Sequence, residues 1–309
     1  VEQSVGVRVP PCALVLRLTG TQFLWGIQAI FTKHFYMKTF LVPTDFSPAG
    51  FNAAEYAAQL AAQFGARLIL FHAYMLPTPV TEVPYAMATV DDLQKENEEE
   101  MRRLANFVHE RYQVQAEQVV RIGVPSDEIR EITREQKADL VIMGIKGAGG
   151  LDKIVGSTTT NTIRKIKTPV LVVPHGAAYR VIKDIVYATD FSYATKPELF
   201  TPLISIAQKF GSHIHILNVA KNPEKVAANA PASRKGLEII FKDSDHEFVT
   251  VSDDSITHGI SNYLQNTPAQ LLAMVAHKHG FFERLFSRSQ TASMAYETHV
   301  PLLVLQDKE

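Results

Sequence analysis

One stretch of this chain occurs twice. Phe40-Leu41-Val42-Pro43-Thr44-Asp45-Phe46-Ser47 returns as Ile185-Val186-Tyr187-Ala188-Thr189-Asp190-Phe191-Ser192, an apolar run that ends both times in Thr-Asp-Phe-Ser. The likeness continues downstream. Each copy leads into a helical stretch stopped by a glycine, Ala53 to Phe64 before Gly65 and Leu203 to Phe210 before Gly211. Each continues into an apolar run, Arg67 to Ala73 and His213 to Val219. The far ends match as well: Thr168-Pro169-Val170-Leu171-Val172-Val173 against Val300-Pro301-Leu302-Leu303-Val304-Leu305. Agreement at both ends, in the same order, sets the architecture as a duplicated unit. The length of 309 residues accommodates two domains of about 150 each. Their expected bounds are 37–176 and 180–309.

Within the first copy, strands and helices alternate. The polar segment Asp91 to Tyr112 carries acids early and Arg102, Arg103 and Arg111 late, as a helix dipole favours. A strand at Gln118 to Ile122 precedes a helix at Ser126 to Gln136, with Asp127 and Glu128 in its first turn. Asp139 to Met143 and Val170 to Val173 read as buried strands, and Thr159 to Lys167 as the helix between them. Ser47-Pro48 is a cap followed by a first helical residue. This alternation predicts an α/β fold, a parallel sheet with helices on both faces and right-handed crossovers.

In such sheets ligands sit beyond the carboxyl ends of the strands, where both Asp45 and the loop starting at Gly144 fall. That loop runs Gly144-Ile145-Lys146-Gly147 and continues to Gly156-Ser157-Thr158-Thr159-Thr160. A glycine-bearing loop between a strand and a helix offers bare backbone N–H groups to an anion, and the helix dipole has the matching sign. Phosphate is the candidate anion. Two plainer readings stand beside it: Gly144 and Gly147 as turn glycines, and Asp45 and Ser157 as cap groups.

Composition narrows the function. A net charge of −1 argues against a general nucleic-acid face. Cys12 is the single cysteine, so no disulfide framework or thiolate zinc site can be built. The second half is rich in histidine (His213, His215, His246, His258, His277, His279, His299). His213 and His215, two apart on a strand, share a face. Without cysteines or tight motif spacing they read as scattered side chains, and no metal site is assigned. No Gly-x-x-x-x-Gly-Lys-Ser/Thr loop occurs, and no base stands out beside the loop, so no catalytic residue is assigned and any phosphate hydrolysis is expected to be slow.

The first 36 residues differ in character. Cys12 to Phe31 is fairly apolar but is broken by Arg17, Gly20, Gln22, Gly26 and Gln28, too polar for a spanning helix of about 20 residues. It also lacks the basic start and cleavage site of a signal peptide. The expectation is a natural start at Met37 with an extension before it, a cytoplasmic protein, and no membrane partner.

The residues Asp45, Gly144-x-x-Gly147 and Gly156-Ser157 resemble the universal stress protein family in its tandem two-domain form. The segment between, Ala148 to Val155, is one residue shorter than the family commonly has. The resemblance extends from about Met37 to the C-terminus. It implies two Rossmann-like domains with strand order 3-2-1-4-5, binding of ATP with or without Mg2+, and a stress-response regulatory role. It also implies roles for positions. Asp45 would accept hydrogen bonds from ribose hydroxyls, and the backbone near Pro43 and Ala73 would face adenine. Met143 and Gly144 would border the ribose. Gly147, Gly156, Ser157 and Thr158 would hold phosphates, with Lys146 and Lys153 adding charge. Terminal strands of this family commonly pair edge to edge, which here implies a pseudo-dimer within one chain around Val170 to Val173 and Leu302 to Leu305, and leaves a homodimer of whole chains open. Aligned backward from the last strand without gaps, Gly144 falls on Ala276, Gly147 on His279, Gly156 on Arg288 and Ser157 on Ser289, so one competent nucleotide site is expected, in the first domain. Two other readings compete: a scaffold that binds no nucleotide, and an enzyme of adenylate chemistry, for which no His-x-Gly-His or Ser-Gly-Gly-x-Asp-Ser signature is present.

Overall fold

The computed structural model describes residues 37–76, 89–145, 157–191, 196–221, 231–277 and 300–307. The expectation for the first 36 residues lies outside this set. The first half runs β1 (Thr39–Pro43), α1 (Pro48–Phe64), β2 (Arg67–Tyr74), α2 (Val90–Tyr112), β3 (Ala116–Ile122), α3 (Pro125–Glu135), β4 (Leu140–Ile145), α4 (Ser157–Lys165) and β5 (Val170–Pro174). The second half runs β6 (Asp184–Ala188), a 3-10 turn at Pro197–Phe200, α5 (Thr201–Phe210), β7 (His213–Ala220), α6 (Pro231–Phe241), β8 (His246–Ser252), α7 (Ile256–Asn266), β9 (Leu271–His277) and β10 (Leu302–Asp307).

The strands form one ten-stranded sheet in the order β3-β2-β1-β4-β5-β10-β9-β6-β7-β8. Each half is parallel and keeps the order 3-2-1-4-5. The halves meet through β5 and β10, which pair antiparallel, Leu302 with Val172 and Val304 with Val170. Burial explains the continuous apolar strands. Val170, Leu171, Leu303 and Val304 are fully buried, because helices cover both faces. On one face Leu41, Val141, Val172, Val304, Leu272 and Val186 form a core that crosses the junction and packs under α3, α4 and α7. On the other, Phe40 meets Phe64 of α1, and Phe64 meets Phe210 of α5 across the halves at 5.8 Å.

The duplication extends to hydrogen bonds. Asp139 Oδ2 accepts from Lys38 N (2.7 Å) and Thr39 N (3.0 Å). In the second half the acceptor is Gln270 Oε1, taking Lys183 N (2.6 Å) and Asp184 N (2.9 Å). Phe46 and Phe191 both adopt positive φ, 58° and 56°. In each case the amide donates to the threonine two residues earlier, Thr44 Oγ1 at 3.1 Å and Thr189 Oγ1 at 3.2 Å. A left-handed β-carbon costs roughly 1–2 kcal/mol, which the local hydrogen bond and ring contacts offset.

This register corrects the ungapped alignment. Phe40 pairs with Leu140, and Ile185 with Leu271. Counting on from Leu140 and Leu271, Gly144 corresponds to Val275, not Ala276. The extra residue of the second half lies after β9.

Candidate functional site

The site of the first half is built where β1 and β4 end. Ser47 caps α1, its side chain accepting from Gly50 N at 3.2 Å. Pro48 follows at the first helical position, where its missing N–H costs nothing. Asp45 is therefore not the cap. Its Oδ1 accepts from Ser47 N at 3.1 Å, and its side chain stands exposed at the cleft. His72 holds the turn from below: Nδ1 lies 2.7 Å from the Thr44 carbonyl and so donates to it, while the ring packs on Phe46 with centroids 4.5 Å apart.

Gly144 is fixed by close approach. A β-carbon there would lie 2.1 Å from the Ala49 carbonyl oxygen and 2.9 Å from Gly50 N. Only glycine lets the first turn of α1 touch the end of β4. Gly50 is in the same position from the other side, since its β-carbon would meet Thr44 Oγ1 at 2.8 Å and Asp45 Oδ1 at 2.9 Å. The positive end of α1 is thereby pressed against the cleft.

Ala73 supplies an open backbone edge. The last bond between β1 and β2 runs from Thr44 N to the Phe71 carbonyl at 2.8 Å, and Tyr74 bonds on the opposite side, accepting from Gly123 N at 2.8 Å. By strand alternation the Ala73 peptide groups project on the β1 side, beyond the point where the chain turns off at Asp45. Across the cleft, α4 presents its first turn, with Thr159 Oγ1 3.5 Å from the Gly144 carbonyl. Lys165 pins this helix to α3 through Asp127 Oδ1 (2.8 Å) and Ser126 Oγ (2.9 Å), and the hydrogen bond to Asp127 holds that carboxyl below its ordinary range.

These pieces enclose a cavity of about 270 Å³ lined by Pro43, Thr44, Asp45, Ser47, Ala49, Gly50, Phe71, Ala73, Pro125, Ile129, Met143, Gly144, Ile145, Thr158 and Thr159. That is just below the range of small-ligand pockets, about 300–1,000 Å³. Six residues chosen from sequence, Pro43, Asp45, Ala73, Met143, Gly144 and Thr158, thus meet in one cleft. Ser157 begins α4. Gly147, Gly156, Lys146 and Lys153 lie outside the described residues. Sequence reasoning missed Gly50, Pro125 and Ile129. Pro125 carried a signal, a proline opening a helix just after Gly123, and Gly50 carried one too, a glycine in the first turn of a helix that needed none.

The cleft brings together groups that could hold a polar organic ligand. It has a carboxylate for hydroxyl donors, an open peptide edge for a planar heterocycle, apolar Met143, Ile145 and Ile129 for its faces, and helix amino termini for negative charge.

The second half differs at the same place. Val275 stands where Gly144 does and is 5 % exposed. α1 starts directly after Ser47, whereas the matching α5 starts at Thr201, nine residues beyond Ser192, after a 3-10 turn. The helix terminus that demands a glycine in the first half is thus drawn back in the second, and a valine fits. His279, Arg288 and Ser289 lie outside the described residues.

Comparison with known proteins agrees with this duplication. The sequence pattern of the universal stress protein family matches residues 37–174 and again 182–306. Universal stress protein MJ0531 of Methanocaldococcus jannaschii is 31 % identical over 139 residues, covering 44 % of this chain and 81 % of the relative. A universal stress protein structure from Archaeoglobus fulgidus superposes with a TM-score of 0.69 at 20 % identity, over 89 % of this chain and all of that one. A second, from Pseudomonas aeruginosa, gives 0.53 at 16 % identity over 91 % of this chain and 95 % of its own. Among the described residues no helix is long and apolar enough to cross a membrane. With the family pattern matched twice, in register with the two half-sheets, the chain belongs to the universal stress protein family in its tandem form.

Proposed function

We propose that the cleft of the first half binds ATP, one molecule per chain, and that the protein is a cytoplasmic stress-response regulator that reads nucleotide rather than an enzyme. The observation that carries this reading is the juxtaposition at Gly144: a glycine without which α1 would not reach β4, beside an exposed carboxylate and an open peptide edge. The residues fit the ligand. Asp45 suits the ribose diol, because a carboxylate accepts two hydroxyl donors. Ala73 offers both a donor and an acceptor to the edge of adenine, with Pro43 beside it. Met143 and Gly144 border the sugar. The first turn of α4, Ser157 and Thr158, offers its free N–H groups to the phosphates, the role that the family resemblance also gives to Gly147 and Gly156. The reading holds with or without Mg2+ on the phosphates.

A ligand that binds only the folded state raises stability by about 2.7 kcal/mol at a hundredfold excess over Kd. ATP is therefore expected to raise the melting temperature, with or without Mg2+, and calorimetric titration to give one site per chain. Asp45→Ala should weaken binding at least tenfold, about 1.4 kcal/mol, while leaving the ligand-free melting temperature nearly unchanged, since the side chain is exposed. Phosphate release is expected to remain slow. A melting temperature indifferent to ATP would favour the scaffold reading, and two equivalent sites would contradict the assignment of a single one.

A further inference from the structure

We propose that the second half binds a zinc-class divalent metal ion between His213, His215 and Glu247, at the amino ends of its strands and apart from the nucleotide cleft. Strand geometry brings the three together. His213 and His215 lie on one face of β7, Glu247 of β8 is the register partner of His215, and Asp184 of β6 is the partner of His213. His215 Nδ1 is 3.0 Å from Glu247 Oε1 and His213 Nε2 is 3.7 Å from the same oxygen. The three donor atoms lie within 4.8 Å of one another. Zinc–nitrogen and zinc–oxygen bonds of about 2.0–2.2 Å set tetrahedral donors roughly 3.3 Å apart, so small side-chain rotations complete the site.

The outer nitrogens argue for a metal over a plain hydrogen-bond cluster. His213 Nδ1 is 2.9 Å from Asp245 Oδ2, and His215 Nε2 is 3.5 Å from Asp184 Oδ1. Each ring thus has one nitrogen backed by a carboxylate and the other aimed at Glu247. A neutral imidazole has a single N–H. With the outer N–H groups given to Asp245 and Asp184, the inner nitrogens, His213 Nε2 and His215 Nδ1, turn lone pairs toward the same Glu247 oxygen at 3.7 and 3.0 Å, an arrangement that a cation between the three completes. With an ion present both rings are neutral. Their outer N–H groups donate to Asp245 and Asp184, their inner lone pairs face the metal, and the ion offsets the three nearby carboxylates. This is the carboxylate–histidine–metal relay that fixes ring orientation in metal sites. Tyr263 Oη, 3.0 Å from His215 Nδ1, stands beside the open fourth position, which it or water fills. β8 is the outermost strand, so the ion enters from solvent past Glu247. Sequence spacing showed the paired histidines but not the carboxylate contributed by the neighbouring strand.

The test is a titration of tag-free, EDTA-treated full chain with zinc chloride, followed by calorimetry, with cobalt(II) as the spectroscopic substitute. One equivalent should bind with a dissociation constant in the micromolar range or tighter, and cobalt should give the intense visible bands of a tetrahedral site. Glu247→Gln, half-exposed on an edge strand and so tolerated by the fold, should weaken binding at least tenfold. Asp184→Asn and Asp245→Asn, which act by positioning the rings, should each weaken it about 10–100-fold. Far-UV circular dichroism checks that each variant is folded. The proposal is overturned if the folded parent binds no stoichiometric ion, or if folded Glu247→Gln retains the parent affinity.

Discussion

A hydrogen in place of a methyl group at position 144 decides whether the first helix reaches the sheet. Gly144→Ala drives a β-carbon into the Ala49 peptide, and overpacking against backbone costs about 1–3 kcal/mol. Denaturant unfolding is expected to show that loss, together with weaker ATP binding as α1 is pushed off the cleft. Gly144 was legible in the sequence as a site residue, but for another reason: there it read as the start of a ligand-binding loop that borders the ribose, whereas in the structure the place of a β-carbon is taken by Ala49. Contacts between residues nearly a hundred positions apart leave no local pattern, so the cause could not be read even where the residue could. The same limit hid Gly50. It also misplaced the second copy by one residue, since an insertion after β9 is invisible until the pairing of β6 with β9 fixes the register.

Helix boundaries follow capping chemistry. α2 opens with a reciprocal box in which Thr89 Oγ1 accepts from Asp92 N (3.1 Å) and Asp92 Oδ2 accepts from Thr89 N (3.1 Å). Donation from the Thr89 hydroxyl, then from its N–H, holds the Asp92 carboxyl below the usual aspartate value. With the folded value depressed, the stabilisation is complete above the unfolded value and disappears as pH falls through the folded one. The first turn of α2 should therefore fray on acidification through the carboxylate range and regain order on return, as amide exchange at Asp92 and Leu93 would report. The polar, dipole-matched stretch made α2 readable in advance. The body of α5 was readable too, as Leu203 to Phe210 against the observed Thr201–Phe210, but the 3-10 turn before it was not, because it has no side-chain cap to mark it.

One core crosses the junction of the whole molecule, so the halves are expected to unfold in a single transition, with calorimetric and van't Hoff enthalpies equal. Leu303 is fully buried at the centre of the β5–β10 pairing, opposite Leu171. Leu303→Ala should cost about 2–5 kcal/mol and lower the one melting temperature without splitting it. The doubled parallel sheet was legible because the repeat, the apolar strands and the alternation with helices all agree. The order of strands within each half came from family resemblance, as periodicity does not name neighbours.

The antiparallel seam at β5 and β10 is the kind of contact by which two identical subunits face each other across a twofold axis. In a symmetric pair every substitution appears twice, and what one partner loses the other loses too. Joining the partners in one polypeptide removes that bond between their fates. One copy can keep its glycine and its cleft while the other takes a valine there and gathers imidazoles at the opposite end, and the shared seam carries the stability of both.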